Sequence, residues 1–245
     1  HRYTRMGTKL SKQTRVIWCD TEGGTRGVPL WDVTFVIEDD QKRSAMTFCS
    51  PSAAHKNGRA KLRKSLPQAV FQDGCTKETT CVTYHDWDNK WTVNKYVVVN
   101  RSISDMTKQY LQKLHKEDIL VAWNMNGHDK HVLKRTVGSD IMNSVTLWDA
   151  LPWFRSCYGI PKYTLSSCRK GTPRALFQVD NHGQVHTSFA DTAHLRDVVV
   201  RAAYCCKHGS NDIDAWKGVS QNVLAAAALQ EIQRYLDDKS SSSST

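Results

Sequence analysis

The stretch "VIWCDTEGG", Val16 to Gly24, is an apolar run that closes on Asp20-Thr21-Glu22 and two glycines. Its first part reads as a buried strand. Its second part sets two carboxylates one residue apart, and residues i and i+2 of a strand project to the same side. Asp20 and Glu22 therefore face one spot, where their charges repel. Two arrangements resolve that conflict: the pair sits in water at a turn, or a cation holds it together.

Around this strand, which spans Thr14 to Cys19, the chain first predicts more strands. "WDVTFVI" (31–37) follows a Gly/Pro turn, and "RSAMTFC" (43–49) follows the turn "EDDQK", so the first part of the sheet reads as an antiparallel meander. "KYVVVN" (95–100) predicts a further strand, and Ser104 to Lys116 an amphipathic helix carrying Met106, Tyr110, Leu111 and Leu114. "ILVAWN" (119–124) and "SVTLWDA" (144–150) read as short strands, with a helix between them that starts near Gly127 and carries Val132 and Leu133. Leu195, Val198, Val199, Ala202, Ala203 and Cys206 form one stripe at helical spacing, and a last helix covers Val219 to Leu236. Strands followed by alternating helices and strands predict an α/β domain with a mixed β-sheet flanked by helices.

One domain is expected over 14–238, with a basic arm at 1–13 and a disordered serine-rich tail at 239–245. Residues 51–94 break the regular pattern and read as an insertion or an embellished loop. Its segment "HKNGRAKLRKSLP" is strongly basic, which fits either a solvated surface or nucleic-acid contact.

Thirty-four Lys and Arg against 24 Asp and Glu give a net charge of +10 over 245 residues. That balance favours an anionic partner, nucleic acid first. No apolar run is long enough to span a membrane, and "HRYTRMGTKLSKQTR" has no apolar core of a signal peptide. A start at His1 without Met predicts a processed or excised chain. The eight cysteines show no secreted disulfide framework, and Cys19, Cys49 and Cys168 sit in apolar segments as small hydrophobes. An intracellular setting, nucleus or cytoplasm, is the expectation. Two sets could bind zinc, Cys75 with Cys81 and His85, or Cys205 with Cys206 and His208, but neither has paired CxxC halves.

The acids repay closer reading. Asp129 lies in the first turn of the helix that follows "ILVAWN". Asp191 opens the long helix, four residues before Leu195 and seven before Val198, and so shares its apolar stripe. An acid on an inward helix face is costly unless something pairs with it. Singly, each of these acids fits a turn or a helix N-terminus. Together with Asp20 and Glu22 they all fall at strand ends or helix starts, where α/β sheets gather their sites.

In that order the residues resemble the DEDDh family of 3′→5′ exonucleases, which have the ribonuclease-H-like fold. The likeness is carried by Asp20-x-Glu22, by "AWNMNGHDKHVL" with Asp129, and by "HTSFADTAHL" with His186 five residues before Asp191. "YTLSS" (163–167) is similar to the segment that precedes the third motif, and the resemblance covers about Val16 to Val200. Trp123 stands where a His is frequent in the family and His128 where a Phe is.

The resemblance implies two Mg²⁺ or Mn²⁺ ions held by Asp20, Glu22, Asp129 and Asp191, with Asp20 bridging them. Four carboxylates are hard oxygen ligands suited to those ions. His186 is then the general base for the attacking water, and an imidazole suits proton transfer at neutral pH. The implied partner is a single-stranded 3′ end of RNA or DNA, released as nucleoside 5′-monophosphates. Substrate contacts are expected from the backbone around Thr21, from Asn124 and from Trp123, although a Trp as the penultimate residue of a strand more often belongs to the core and a purely structural role suits Asn124 equally well. His194 and Asp197 read as a solvated pair on the outer helix face, and His182 as an exposed turn residue. A nucleic-acid-binding module with little or no catalysis is the alternative.

Overall fold

Strand β1 (Val16–Glu22) lies inside a 7-stranded sheet in a computed structural model of the chain. The structure describes residues 14–24, 27–38, 43–66, 78–86, 92–159, 171–182, 186–208 and 212–242, with residues 68, 76, 165 and 169. The arm at 1–13, Cys75, Cys168 and most of "YTLSS" lie outside the described residues.

On one side of β1 runs an antiparallel meander of β2 (Asp32–Glu38), β3 (Arg43–Cys49), β4 (Thr80–Asp86) and β5 (Thr92–Val99). On the other side β6 (Ile119–Ala122) pairs parallel to β1, and β7 (Thr146–Asp149) pairs parallel to β6. The order is β5-β4-β3-β2-β1-β6-β7. From β1 the chain turns towards β2, whereas from β6 it passes through helices towards β7. The connections thus diverge between β1 and β6, and such a divergence opens a crevice beyond the carboxyl ends of the strands.

The two faces of the sheet are covered by different helices. Ile17, Cys19, Val33, Phe35, Leu120 and Ala122 pack against α2 (Ile103–Gln112), α3 (Asp129–Val137) and α4 (Ser139–Asn143). Val16, Trp18, Val36, Ile119 and Val121 face the other way, onto α5 (Ala150–Tyr158), α7 (Ser188–Lys207) and α8 (Gln221–Ser242). The alternation of β1 therefore sends Asp20 and Glu22 to the α7 face and Thr21 to the α3 face. A short α6 (Pro173–Leu176) lies between α5 and α7 in the chain.

The segment 51–94 is not a loop embellishment. It contains α1 (Lys56–Ser65), β4 and the start of β5, so it widens the main sheet. Leu62 of α1 packs with Trp31, Cys49, Ala54 and Cys81 in a small core of its own. The last helix runs on to Ser242, into the segment expected to be a disordered tail.

Helix α7 also departs from a one-sided stripe. Because His182 and α8 both pack against its outer sides, α7 buries His194, Arg196 and Asp197 together with its apolar residues. The solvated His194–Asp197 pair is thus overturned: both are buried, and Asp197 is held instead by His182 Nε2 at 2.8 Å and by Arg196 Nη1 at 3.0 Å. His182 is accordingly a partly buried partner and not an exposed turn residue. Arg196 also donates to both oxygens of Glu38, which further accepts from Trp18 Nε1 and Arg43 Nε. In this network each buried carboxylate meets a cationic or neutral donor.

Candidate active site

The carboxyl end of β1 carries Asp20 and Glu22, and the turn beyond it is shaped by Gly23 and Gly24. Their φ values of +86° and +72° lie in the left-handed region. A Cβ at Gly23 would meet Pro29 O at 2.2 Å, and one at Gly24 would meet Val132 Cγ1 at 2.5 Å. The paired glycines of the motif thus let the β1–β2 turn fold tightly against Trp31 and α3.

Asp129 arrives from the opposite face of the sheet. After β6 the chain turns at Asn124, an exposed residue with φ of +61°, a conformation Asn tolerates. The Asn124 carbonyl accepts from the amides of Gly127 and His128, which launches α3 with Asp129 as its first residue. Asp129 Oδ1 then accepts from the amide of Thr21 at 3.0 Å and from its hydroxyl at 2.7 Å. Thr21, expected among the substrate contacts, is buried and fixes Asp129 beside Asp20. Trp123 packs edge-on against Phe154 at the rim of the core.

Asp191 and His186 come from α7 and the residues before it. Thr187 caps the helix by accepting from Ala190 N. His186, with φ of +60°, holds its ring 53% exposed, its Nδ1 3.9 Å from Asp191 Oδ2. One ligand atom each from Glu22, His186 and Asp191 lies within 4.8 Å of the others. All five residues read from the sequence therefore reach one end of the sheet.

The sequence reading missed Asp32. It is the first residue of β2, stands directly opposite Glu22, and is 1% exposed. Its Oδ2 accepts from Ser188 N at 2.9 Å, which docks the start of α7 beside Glu22. Its Oδ1 is buried without a hydrogen-bond partner among the described residues. Nine residues separate Glu22 from Asp32, so it is the β1–β2 register and not a short turn that sets them opposite each other. The hydroxyl of Ser188 extends this anchor through Thr34 to Thr47, which contacts His85 of β4, and His85 stacks on Phe189. The added strand β4 thereby supports the start of α7.

The electrostatics are those of acids crowded together. Burial, then the charges of Asp129, Asp191, Glu22 and Asp32, holds the Asp20 carboxyl well above its usual range. Burial and the charge of Asp32 push Glu22 up to about 8, and the ammonium of Lys61 on α1 acts against them. Asp32 and Asp129 are each raised to about 7, chiefly by burial. A group of hard oxygen donors that repel one another in the bare protein, with a buried unpaired oxygen on Asp32 and on Asp191, fits divalent cations such as Mg²⁺ or Mn²⁺.

Neither zinc set read from the sequence forms a cluster among the described residues. His85 of the first contacts Thr47 and Thr83. In the second, Cys206 approaches Cys157, Sγ to Sγ 3.6 Å, with Glu231 nearby. Glu231 is already held by Trp153 and Arg234. No helix among the described residues is long and apolar enough to cross a membrane. No protein-family model matches the chain, and no curated protein matches it.

Proposed function

We propose that the protein is a divalent-cation-dependent 3′→5′ exonuclease of the DEDDh kind, built on a ribonuclease-H-like version of its mixed sheet. The observation that carries this reading is the convergence of Asp20, Glu22, Asp129, Asp191 and His186 on one acidic cluster at the carboxyl ends of β1 and β6. Asp20, Glu22, Asp129 and Asp191 would hold two Mg²⁺ or Mn²⁺ ions. When bound, such ions polarise an attacking water and offset charge on the scissile phosphate and the leaving 3′ oxygen.

The chain's own residues supply the remaining parts. His186 carries a half-exposed imidazole next to Asp191 and accepts the proton of the attacking water. Water adds to phosphorus, the bond from phosphorus to the 3′ oxygen breaks, and a nucleoside 5′-monophosphate leaves. Thr21 keeps Asp129 aimed, and Asp32 keeps the start of α7 seated. The basic helix α1, whose Lys61 acts on Glu22, and the net charge of +10 suit a polyanionic substrate.

The test uses 5′-labelled single-stranded DNA and RNA oligonucleotides with Mg²⁺, Mn²⁺ or EDTA, for the wild type and Asp20→Asn. Cation-dependent shortening from the 3′ end that is absent in the variant is the expected result. Binding without shortening under every condition would overturn the enzymatic reading in favour of a binding module. The relative rates on DNA and RNA assign the substrate.

A further inference from the structure

Asp191 lies between two histidines. Its Oδ2 is 3.9 Å from Nδ1 of the half-exposed His186, and its Oδ1 is 3.7 Å from Nδ1 of His194, which has no exposed surface. Asp191 Oδ1 and His194 Nδ1 are both buried, and among the described residues neither has a hydrogen-bond partner. The same shift of under about 1 Å would satisfy both atoms. A buried donor and a buried acceptor left apart are each costly, so the pair is poised to close.

The protonation of His194 is set from its far side. The backbone N–H of His182 donates to His194 Nε2 at 3.1 Å. A nitrogen that accepts a hydrogen bond carries its lone pair, so the proton of the neutral ring resides on Nδ1, facing Asp191. His182 is fixed in turn by its own Nε2, 2.8 Å from Asp197 Oδ2. One imidazole thus lies between the carboxylate of Asp191 and the backbone of His182.

We propose that His194 is a positioning residue for Asp191: its Nδ1–H holds Oδ1, so that Oδ2 is presented towards Glu22 and His186. This rests on the reading of Asp191 as a ligand of a divalent cation. Outer partners of such ligands contribute about 10–100-fold to cation affinity or activity.

Two conservative substitutions separate the two links. In His194→Asn the amide stands at the level of Nδ1 and keeps the donor for Asp191. In His194→Gln it stands at the level of Nε2, keeping the link to His182 and losing that donor. The thermal unfolding midpoint is followed during titration with MnCl₂, and kcat and KM are measured separately on a labelled oligonucleotide. His194→Gln should raise the Mn²⁺ concentration for half-maximal stabilisation by about 10–100-fold and lower kcat with KM little changed. His194→Asn should stay near wild type in both. A His194→Gln protein that titrates like wild type, or a His194→Asn protein as weak as His194→Gln, overturns the proposal alone. A wild type that Mn²⁺ does not stabilise overturns the cation reading and this proposal with it.

Discussion

The two ends of β2 each bury an acid, Asp32 at the start and Glu38 at the finish, and the surroundings differ at every point. Glu38 receives a fully buried guanidinium from Arg196, a second from Arg43 and the indole N–H of Trp18. Its neighbour Asp197 is likewise held by Arg196 and His182. Asp32 faces Glu22, with Asp20 and Asp191 acting on the same space. Its Oδ2 accepts from the backbone amide of Ser188. The same strand and the same helix α7 serve both ends, so the chain has the means to neutralise a buried carboxylate from within. At the Asp32 end no comparable pairing is seen among the described residues, which is the physical reason for proposing cations there.

The largest effect should come from unbalancing the paired end. Arg196→Met leaves Glu38 and Asp197 without their shared cation and should cost about 3–5 kcal/mol, read from urea unfolding. A smaller loss would mean that the pairing counts for less than its geometry indicates. At the open end the sign should reverse. Asp20→Asn should lower cleavage by more than the roughly 100-fold expected for an outer partner, yet its cation-free unfolding midpoint should not fall, because a mutually repelling charge has been removed. A clear fall would break the comparison, since it would show Asp20 to be compensated from within.

The subtlest effect lies in the response to pH. Glu22 is raised to about 8 and Asp32 and Asp129 to about 7, so the folded protein holds these protons more tightly than the unfolded chain. Their contribution to stability is complete below the ordinary carboxylate pKa of about 4 and is lost as pH rises through about 7 to 8. Asp197 is instead held well below its usual range by His182 and Arg196, which outweigh its burial. Its contribution is present above the ordinary carboxylate pKa and is lost as pH falls towards its lowered value. Unfolding midpoints across pH should therefore fall on the alkaline side without cations and recover there with MgCl₂. Arg196→Met should flatten the acid limb and leave the alkaline limb in place.

Much of the open end is legible in the sequence, because Asp20, Glu22, Asp129, Asp191 and His186 sit in short motifs whose order survives folding. The meander β1–β2–β3 and strands β6 and β7 follow from compact apolar runs between turn residues. The paired end is illegible for a definite reason. Reading α7 as a helix with one buried stripe assigns His194 and Asp197 to water, and the docking of His182 and of α8 makes that side interior. Strand β4 is hidden because "TCVTYHD" mixes hydroxyl, thiol and charged residues, and its burial depends on neighbours far along the chain. Asp32 escapes notice because an acid at the start of a strand reads as a turn residue until the hairpin register sets it against Glu22.

The contacts that complete the open end also fix when it can exist. Thr21 meets Asp129 across 108 residues, and Asp32 meets Ser188 across 156. Such distant pairings form late, after the local hairpins have closed. A growing or refolding chain can assemble the meander with Asp20, Glu22 and Asp32 already together, and the charges of Asp129 and Asp191 join them only when α3 and α7 settle onto β1. Part of the charge conflict is thereby deferred to these last docking steps, and the proposed cations would offset it there.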